Sequence, residues 1–484
     1  MKRSYFKVLL VIVGVVLLWL FCICSVPILD EGTYLWVSKD LTVFDPYGWS
    51  LPFPPWGDAY MFAHPPLHWM WLSVVGQLTQ SIWWTKVIAG AFWMILLGGA
   101  SWRFIEMLPE ADFKSWMIWL LTPIVLMPAT RPAMPDLQMT ALGTCAMLLF
   151  YREHVSQELR IRGYLLSGFV LGLASLTKYP ALLLWVPILM FCRQLKSLGY
   201  VFAGFALSWG LGEGLLFAMY DRVHLFEVLR SAGDVPRGPL LDRFVGLLLR
   251  LGVGAPLLLF ATFNRRWITG AVLGVILALF CVPDGMSVVQ QMYVLIILIL
   301  SCGAVVSLLC QRSFFSVWAL VVWVGVVVAH NYASPRYLML SVLPMVLLLE
   351  KRSYIGIVLG GLWSLVLIGA EHAYAQSASR VAQDVVEHQP EGGFFIGEWS
   401  FRWVLESQGW KPVRNQSLDL ETTARAKNAA SGPPLESEHT AHFIAGDFPV
   451  RLVDGESDVG YYSDTLGFWP LGWGTTPLEE AWVH

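Results

Sequence analysis

The sequence predicts an all-α polytopic membrane protein, with a bundle of about thirteen transmembrane helices and a small α/β domain on the outer face. Of its 484 residues, 56% are hydrophobic and only 14% are charged, whereas soluble domains carry about 25% charged residues. The mean hydropathy is +0.59. The 24 Trp and 16 Tyr residues suit wide membrane–water interfaces, where amphipathic rings collect. This composition excludes a disordered chain, a fibrous protein and an ordinary cytosolic enzyme.

The charge and the cysteine content argue against two further classes of function. The net charge is −3 and there is no long basic run, so we expect no nucleic-acid partner. The seven cysteines lie in or at the ends of apolar segments, without CxxC or Cys/His spacing. We therefore expect no disulfide framework, no zinc site and no redox chemistry.

Apolar runs define the expected helices. The first run, 8–28, follows three basic residues and precedes no A-x-A-like cleavage site, so it is interpreted as a retained transmembrane helix rather than a signal peptide. The other runs are 83–100, 116–128, 137–151, 163–176, 181–191, 199–220, 244–263, 268–282, 288–309, 314–329, 337–349 and 355–370. We expect a membrane domain over 1–371 and a soluble outer-face domain over 372–484.

The distribution of Lys and Arg predicts the orientation of the bundle. Alternate connections carry basic residues, which places them and the N-terminus in the cytoplasm by the positive-inside rule. The remaining connections hold acidic residues, and an odd number of spans leaves the C-terminal domain on the outer face. In a bacterium this is a multi-pass protein of the inner membrane with a periplasmic C-terminal domain.

Two outer segments are large enough to have structure of their own. The first outer loop, 29–64, is expected to contain an interfacial helix after Asp30, and a short helix should follow Pro65-Pro66 over 67–78, because Pro suits a first helical turn. In the C-terminal domain we expect a helix near 377–387 and strands at 393–397 and 442–445.

Charged residues recur in four outer segments, and in three of these they lie beside Pro. These are Asp30-Glu31, the segment 130–136 with Arg131 and Asp136, Thr177-Lys178-Tyr179-Pro180, and the segment 330–337 with Arg336. One such residue usually snorkels or caps a helix, but four on one face indicate a site. A carboxylate can act as general base, and Lys178, Arg131 and Arg336 can hold a phosphate. Because no Gly-rich phosphate loop is present, a lipid-linked phosphate is the expected donor.

The order of these motifs resembles that of the GT-C membrane glycosyltransferases. The closest likeness is to the superfamily of protein O-mannosyltransferases and lipid A aminoarabinose transferases. The resemblance covers about residues 8–350 and is carried by Asp30-Glu31-Gly32-Thr33-Tyr34, His64-Pro65-Pro66-Leu67-His68-Trp69, Met134-Pro135-Asp136 and Leu176-Thr177-Lys178-Tyr179-Pro180.

The resemblance implies a glycosyltransferase that moves a hexosyl or pentosyl group from a polyprenyl-phosphate sugar to a lipid, glycan or protein acceptor. Asp30 matches the catalytic base that deprotonates the acceptor, and the sugar is transferred with inversion. Glu31 matches the residue that orients this base. Asp136 matches a second acidic residue that contacts donor or acceptor. No metal or other cofactor is expected, although the family pattern does not exclude a divalent metal.

The same resemblance assigns the cationic side of the site. Lys178, Arg336 and Tyr337 match positions suited to the donor phosphate. His64 stands where the aminoarabinose branch has Lys, and it supplies less positive charge to a phosphate. Thr33 replaces a basic residue that often follows the acidic pair, which argues against assuming aminoarabinose as the sugar.

Other interpretations stay open at this stage. A transporter or lipid flippase is the alternative, although the charges cluster at one face and no internal repeat is evident. A non-catalytic assembly protein with the same fold is a third possibility. Glu213, the one acid deep in an apolar run, either lines a cavity or pairs with a neighbour. His68 is expected to pack.

Overall fold

A computed structural model describes most of the chain between residues 13 and 483. The described residues are 13, 16–17, 19–20, 23, 26–27, 30–40, 65–108, 112–156, 161–234, 238–255, 265–281, 288–311, 313–329, 334–349, 354–397, 399–413, 423–428, 440–454, 459–460, 468–474 and 476–483. Most of the first predicted span and of the first outer loop, including His64, lies outside these residues.

Helices make up nearly all of the part before residue 389. They are α1 Glu31–Asp40, α2 Leu67–Thr79, α3 Ile82–Glu106, α4 Phe113–Leu120, α5 Pro123–Ala129, α6 Pro135–Ser156, α7 Ile161–Thr177, α8 Trp185–Phe191, α9 Leu195–Phe205, α10 Leu211–Tyr220, α11 His224–Asp234, α12 Leu240–Gly254, α13 Arg265–Cys281, α14 Val288–Leu309, α15 Phe314–Ala329, α16 Met339–Leu347 and α17 Tyr354–His388. Short 3₁₀ turns at Tyr179–Leu184 and Pro335–Leu338 lead into α8 and α16, and a π-turn at Ala206–Gly210 joins α9 to α10.

Among the described residues, four helical stretches are long and apolar enough to cross a membrane: α3, the stretch Leu195–Tyr220, α14 and α17. Some of the other predicted runs form two short helices instead of one long helix. The run 116–128, for example, is divided between α4 and α5 because Pro123 begins a new helix, where its missing N–H costs nothing. The protein is an integral membrane protein, and the number of thirteen spans stays a prediction.

The two expected outer helices of the first loop are present. Helix α1 begins directly after Asp30, and α2 begins after Pro66. Tyr34 of α1 is 1% exposed and its ring makes an edge contact with Trp69 of α2, with centroids 5.6 Å apart. This apolar contact holds α1 against the bundle and so fixes the position of Asp30 and Glu31.

Helix α17 runs without a break across the expected domain boundary at residues 371 and 372. Its 35 residues correspond to about 52 Å at 1.5 Å per residue. The helix expected near 377–387 is the final part of α17, and its buried residues there pack on the C-terminal sheet. The division at 371 remains a prediction, but the backbone makes no boundary there.

The C-terminal part forms the expected small α/β domain. Its strands are β1 Phe394–Ile396, β2 Lys411–Pro412, β3 Thr423–Ala426, β4 Ala441–Ala445, β5 Val450–Arg451, β6 Val453–Asp454, β7 Val459–Gly460, β8 Gly472–Trp473 and β9 Glu479–Val483, and the helix α18 is Trp399–Ser407. Five of the strands form one sheet in the order β2-β1-β3-β9-β4. In this sheet β1 runs parallel to β2 and β3, whereas β9 runs antiparallel to β3 and β4. Strands β1 and β4 match the predicted segments 393–397 and 442–445.

The outer domain is attached directly to the segment that carries the acidic pair. The Ser400 hydroxyl donates to the Pro27 carbonyl at 2.7 Å, and Gly32 of α1 lies against the Trp403 ring of α18. The end of the first span and the start of α1 are therefore held between the bundle and the outer domain.

Candidate active site

The acidic pair occupies two different environments. Asp30 ends the turn before α1 and its side chain is 28% exposed. The Glu31 side chain is the first of α1 and is 0% exposed. Only Asp30 is therefore open to a reactant from outside the bundle.

Glu31 forms a buried ion pair that the sequence analysis did not predict. The Lys86 ammonium of α3 donates to Glu31 Oε2 at 2.7 Å, and neither side chain is exposed. The Ala133 amide donates to Glu31 Oε1 at 3.3 Å. Lys86 is a single charge inside a run counted as a transmembrane helix, and such a charge usually has a partner or a function. That signal was available in the sequence.

The loop 130–134 can approach Glu31 because Gly90 of α3 has no side chain to block it. A Cβ atom on Gly90 of α3 would lie 2.4 Å from Pro132 and 2.7 Å from Trp19. The Trp19 indole also donates to the Ala129 carbonyl at 2.7 Å. The absence of a side chain at Gly90 thus allows the first span and the loop to pack on α3.

Asp30 pairs with a cation that is distant from it in the sequence. The Arg336 guanidinium donates to Asp30 Oδ2 at 3.2 Å, and its side chain is 11% exposed. Arg336 also lies 5.3 Å from the centroid of the Tyr337 ring. Both residues belong to the 3₁₀ turn before α16, which Pro335 begins.

A second carboxylate–cation pair lies on the other side of Tyr337. Lys178 donates to Asp136 Oδ1 at 2.7 Å, with side-chain exposures of 3% and 1%. The Lys178 ammonium is 4.4 Å from the centroid of the Tyr337 ring. The Tyr337 ring therefore contacts both cations, and a phosphate beside it would meet positive charge from two directions.

His68 links the loop 130–134, whose Ala133 amide binds Glu31, to helix α6, which carries Asp136. Its Nε2 lies 2.7 Å from the Ala133 carbonyl, and its Nδ1 lies 2.8 Å from Oε1 of Gln138, two residues after Asp136. Burial lowers the pKa of His68 below its ordinary value of 6.5. The ring joins α2 to the loop 130–134 and to α6. The expected packing role is extended by these two polar contacts.

Six predicted site residues therefore lie in one set of contacts. They are Asp30, Glu31, Asp136, Lys178, Arg336 and Tyr337. Glu31 is connected to α6 through Ala133 and His68. On α6, Asp136 pairs with Lys178, and Lys178 is connected through the Tyr337 ring to Arg336 and Asp30.

Arg131 has an acidic partner other than those of Lys178 and Arg336. It is 2% exposed and forms an ion pair with the buried Glu371 of α17. This pair attaches the loop 130–134 to the long helix, so Arg131 has a structural partner that the sequence analysis did not predict. His64, the remaining predicted contact, is outside the described residues.

Glu213 pairs with neighbouring residues, which is one of its two expected roles. The Tyr179 hydroxyl donates to Glu213 Oε1 at 2.7 Å and lies 2.5 Å from His224 Nδ1. Tyr179 directly follows Lys178, so these contacts tie the lysine-bearing turn to the start of α11.

The described residues contain no group of three or more His, Cys, Asp or Glu that could hold a metal ion. Positive charge near the accessible carboxylate comes instead from Arg336 and Lys178. The arrangement suits acid–base chemistry at Asp30 beside a bound anion.

Comparison with solved structures identifies the fold. Neither a protein-family model nor a curated protein matches the chain. The crystal structure of ArnT from Cupriavidus metallidurans bound to undecaprenyl phosphate matches with a TM-score of 0.50 and 17% identity, over 87% of this chain and 92% of that one. This chain has the ArnT fold. The apo structure of ArnT matches with a TM-score of 0.44 and 16% identity, over 88% of this chain and 93% of that one. The ArnT fold confirms the predicted GT-C-like helical bundle with a small C-terminal α/β domain.

Proposed function

We propose that this protein is an inverting glycosyltransferase that moves a sugar from a polyprenyl-phosphate donor to an envelope acceptor at the outer face of the membrane. The observation that carries the proposal is the contact between the accessible Asp30 carboxylate and Arg336, beside Tyr337 and Lys178. A general base and two phosphate-binding cations are the groups that this transfer requires. One ArnT structure is bound to undecaprenyl phosphate, and a lipid of that class is the proposed donor here.

Arg336 and Lys178 hold the donor phosphate in this proposal. Arg336 offers a planar fork that matches two phosphate oxygens, and Lys178 supplies a point charge. Both cations are paired with carboxylates, and these carboxylates hold them in place for the phosphate. The cations then stabilise the negative charge that develops on the leaving phosphate.

Asp30 removes the acceptor proton. A lone pair of the acceptor oxygen or nitrogen attacks the anomeric carbon of the sugar from the face opposite the phosphate. The bond between that carbon and the phosphate oxygen breaks, and its electron pair leaves with the polyprenyl phosphate. The acceptor proton moves to the Asp30 carboxylate and from there to water. The products are the glycosylated acceptor, with inverted anomeric configuration, and the free polyprenyl phosphate.

Glu31 acts through position rather than through the reacting atoms. Its pair with Lys86 and its bond from the Ala133 amide fix the first turn of α1. This turn sets the direction of the Asp30 side chain, so Glu31 is a positioning residue. The difference in exposure between the two acids supports this division of roles.

The test uses the full chain, purified and reconstituted into liposomes. Undecaprenyl-phosphate hexoses and pentoses are supplied, and free undecaprenyl phosphate is measured by mass spectrometry in the presence of an envelope-lipid extract. We expect cleavage of at least one donor and a mass increase of one sugar in the extract. Movement of an intact donor between leaflets without cleavage would instead identify a flippase, and neither cleavage nor movement would reject both functions.

A further inference from the structure

A polar groove separates the outer part of α17 from the loop after β4. Its volume is about 470 Å³, within the range of small-molecule sites of about 300–1,000 Å³. The side chains that matter here are Gln376, Arg380 and Gln383 on the helix, Asp447 and Phe448 on the loop, and Val26 at the membrane side.

The helix side of the groove presents one row of polar groups. Gln376, Arg380 and Gln383 follow the i, i+4, i+7 spacing, which places them on the same face. All three are exposed. Among the described residues, no hydrogen bond or ion pair engages their side chains. Their donors and acceptors are therefore available to a ligand.

The opposite wall is held close to the helix by a glycine. Gly446 adopts a φ of +81°, and a Cβ atom there would lie 2.0 Å from the Ser377 hydroxyl. The Leu478 amide donates to the Gly446 carbonyl at 3.1 Å. The loop is thus built against α17, and it brings the Asp447 carboxylate and the Phe448 ring to face the helical row.

The groove is close to the candidate active site. Val26 lies four residues before Asp30, so their Cα atoms are at most about 14 Å apart. Gln376 follows Glu371 by five residues, or about 7.5 Å along α17, and Glu371 pairs with Arg131. The Val26 edge of the groove is therefore within about 14 Å of Asp30.

We propose that this groove binds the acceptor, and that the acceptor is a hydroxyl-rich saccharide carrying an anionic group. This inference rests on the proposed function. Gln376, Gln383 and Asp447 match the donors and acceptors of sugar hydroxyls. Arg380 binds the phosphate or carboxylate of the sugar, and the Phe448 ring offers an apolar face to the sugar ring.

The test measures binding of glucose 1-phosphate to the full chain in nanodiscs, without donor, by saturation-transfer NMR. Glucose and inorganic phosphate are used as competitors. We expect saturable binding that Arg380→Ala weakens about tenfold or more, as expected for loss of a charge-assisted bond. Gln383→Glu, which adds a negative charge to the row, should also weaken binding. Lys411→Ala, an exposed cation of the same domain outside the groove, should leave binding unchanged.

Each contrary result overturns a defined part of the proposal. No saturable binding, or equal effects of Arg380→Ala and Lys411→Ala, would reject the groove as the site. Equal competition by glucose would reject the anionic class, and equal competition by inorganic phosphate would reject the saccharide. A loss in Arg336→Ala instead would assign the binding to the donor site. Because the assay needs no turnover, its result is independent of whether the donor is cleaved.

Discussion

Asp30 and Arg336 are 306 residues apart in the sequence and 3.2 Å apart in the structure. The contact joins the segment after the first span to the turn before α16. Arg336 also contacts the Tyr337 ring, which in turn contacts Lys178. The accessible carboxylate therefore already has a cation beside it, and a bound phosphate would compete with Asp30 for that cation.

The substitution Asp30→Asn removes the proposed base while it keeps the size of the side chain. We expect turnover to fall by about two to four orders of magnitude. Apparent thermal stability should change little, because a substitution at a partly exposed site usually costs less than about 0.5 kcal/mol. The assay is donor cleavage by the purified chain, with Asp384→Asn on α17 as the matched control. Normal turnover in Asp30→Asn would reject the mechanism.

The substitution Glu31→Gln should act mainly on stability. It removes the carboxylate that faces the buried Lys86 ammonium, and breaking such a pair costs about 3–5 kcal/mol. Thermal unfolding in detergent should show a lower midpoint, and the double variant Glu31→Gln/Lys86→Met should recover part of the loss. If the single variant unfolds like the wild type but loses more turnover than Asp30→Asn, the base is Glu31.

Arg336→Ala tests the donor phosphate more cleanly than Lys178→Ala. Lys178 pairs with the buried Asp136, so its removal also disturbs folding, whereas Arg336 pairs with a partly exposed acid. We expect affinity for undecaprenyl phosphate to fall about tenfold to a hundredfold in Arg336→Ala. Arg103→Ala, at an exposed pair on α3, is the control. Equal affinities in the two variants would show that Arg336 does not contact the phosphate.

The outer domain should lose stability as the pH rises. Burial raises the pKa of Glu479 from its ordinary value of 4.5 to about 7. The folded state therefore binds more protons than the unfolded state between these values, and stability is highest below pH 4.5. This contribution should fall by about 3 kcal/mol as the pH rises from about 4.5 to about 7 and change little above that. Hydrogen exchange of β9 amides, corrected for intrinsic rates, measures the change.

The variant Glu479→Gln removes this titration. Protection of β9 should then be nearly independent of pH in this range, and Glu480→Gln, the exposed-side neighbour, should keep the wild-type slope. A slope that persists in Glu479→Gln would assign the pH dependence to another group.

Sidedness can be tested by cysteine labelling in intact cells. The positive-inside pattern places Lys411 outside and Lys196 inside. In a background without the seven native cysteines, an impermeant maleimide should label Lys411→Cys but not Lys196→Cys until the cells are opened. The reverse pattern would invert the topology and place the proposed site in the cytoplasm.

The sequence predicted the site residues that stand at the ends of apolar runs. Lys178 and Arg336 were identifiable because a charge beside Pro at a membrane face is unusual, and Asp30 because an acidic pair directly follows the first apolar run. The pairing of Asp30 with Arg336 was not predictable, because it depends on how distant helices pack. Lys86 was missed because it lies within a run that composition identifies as a simple helix, and Glu371 because it lies just past the last run, at the expected domain boundary.

The outer domain shows a similar limit. Strands β1 and β4 were predicted from apolar residues flanked by turn signals. Strands β3 and β9 were missed, since Thr423–Ala426 has only four residues and Glu479–Val483 begins with two acids rather than with apolar residues. The unbroken course of α17 was also missed, because a change from apolar to polar composition does not by itself end a helix.

The continuity of α17 has a consequence for how an acceptor is selected. About 30 Å of a helix suffices to cross the hydrocarbon, so about 20 Å of α17 extends beyond it as one continuous helix. Two contacts lie near the start of this extension. They are the ion pair between Arg131 and Glu371 and the hydrogen bond from Ser400 to Pro27. Because α17 is continuous from the bundle into the C-terminal domain, a change in its tilt moves its contacts with both parts together. Under the proposed function, the selection of an acceptor then depends on how well it fits the surface that these contacts form.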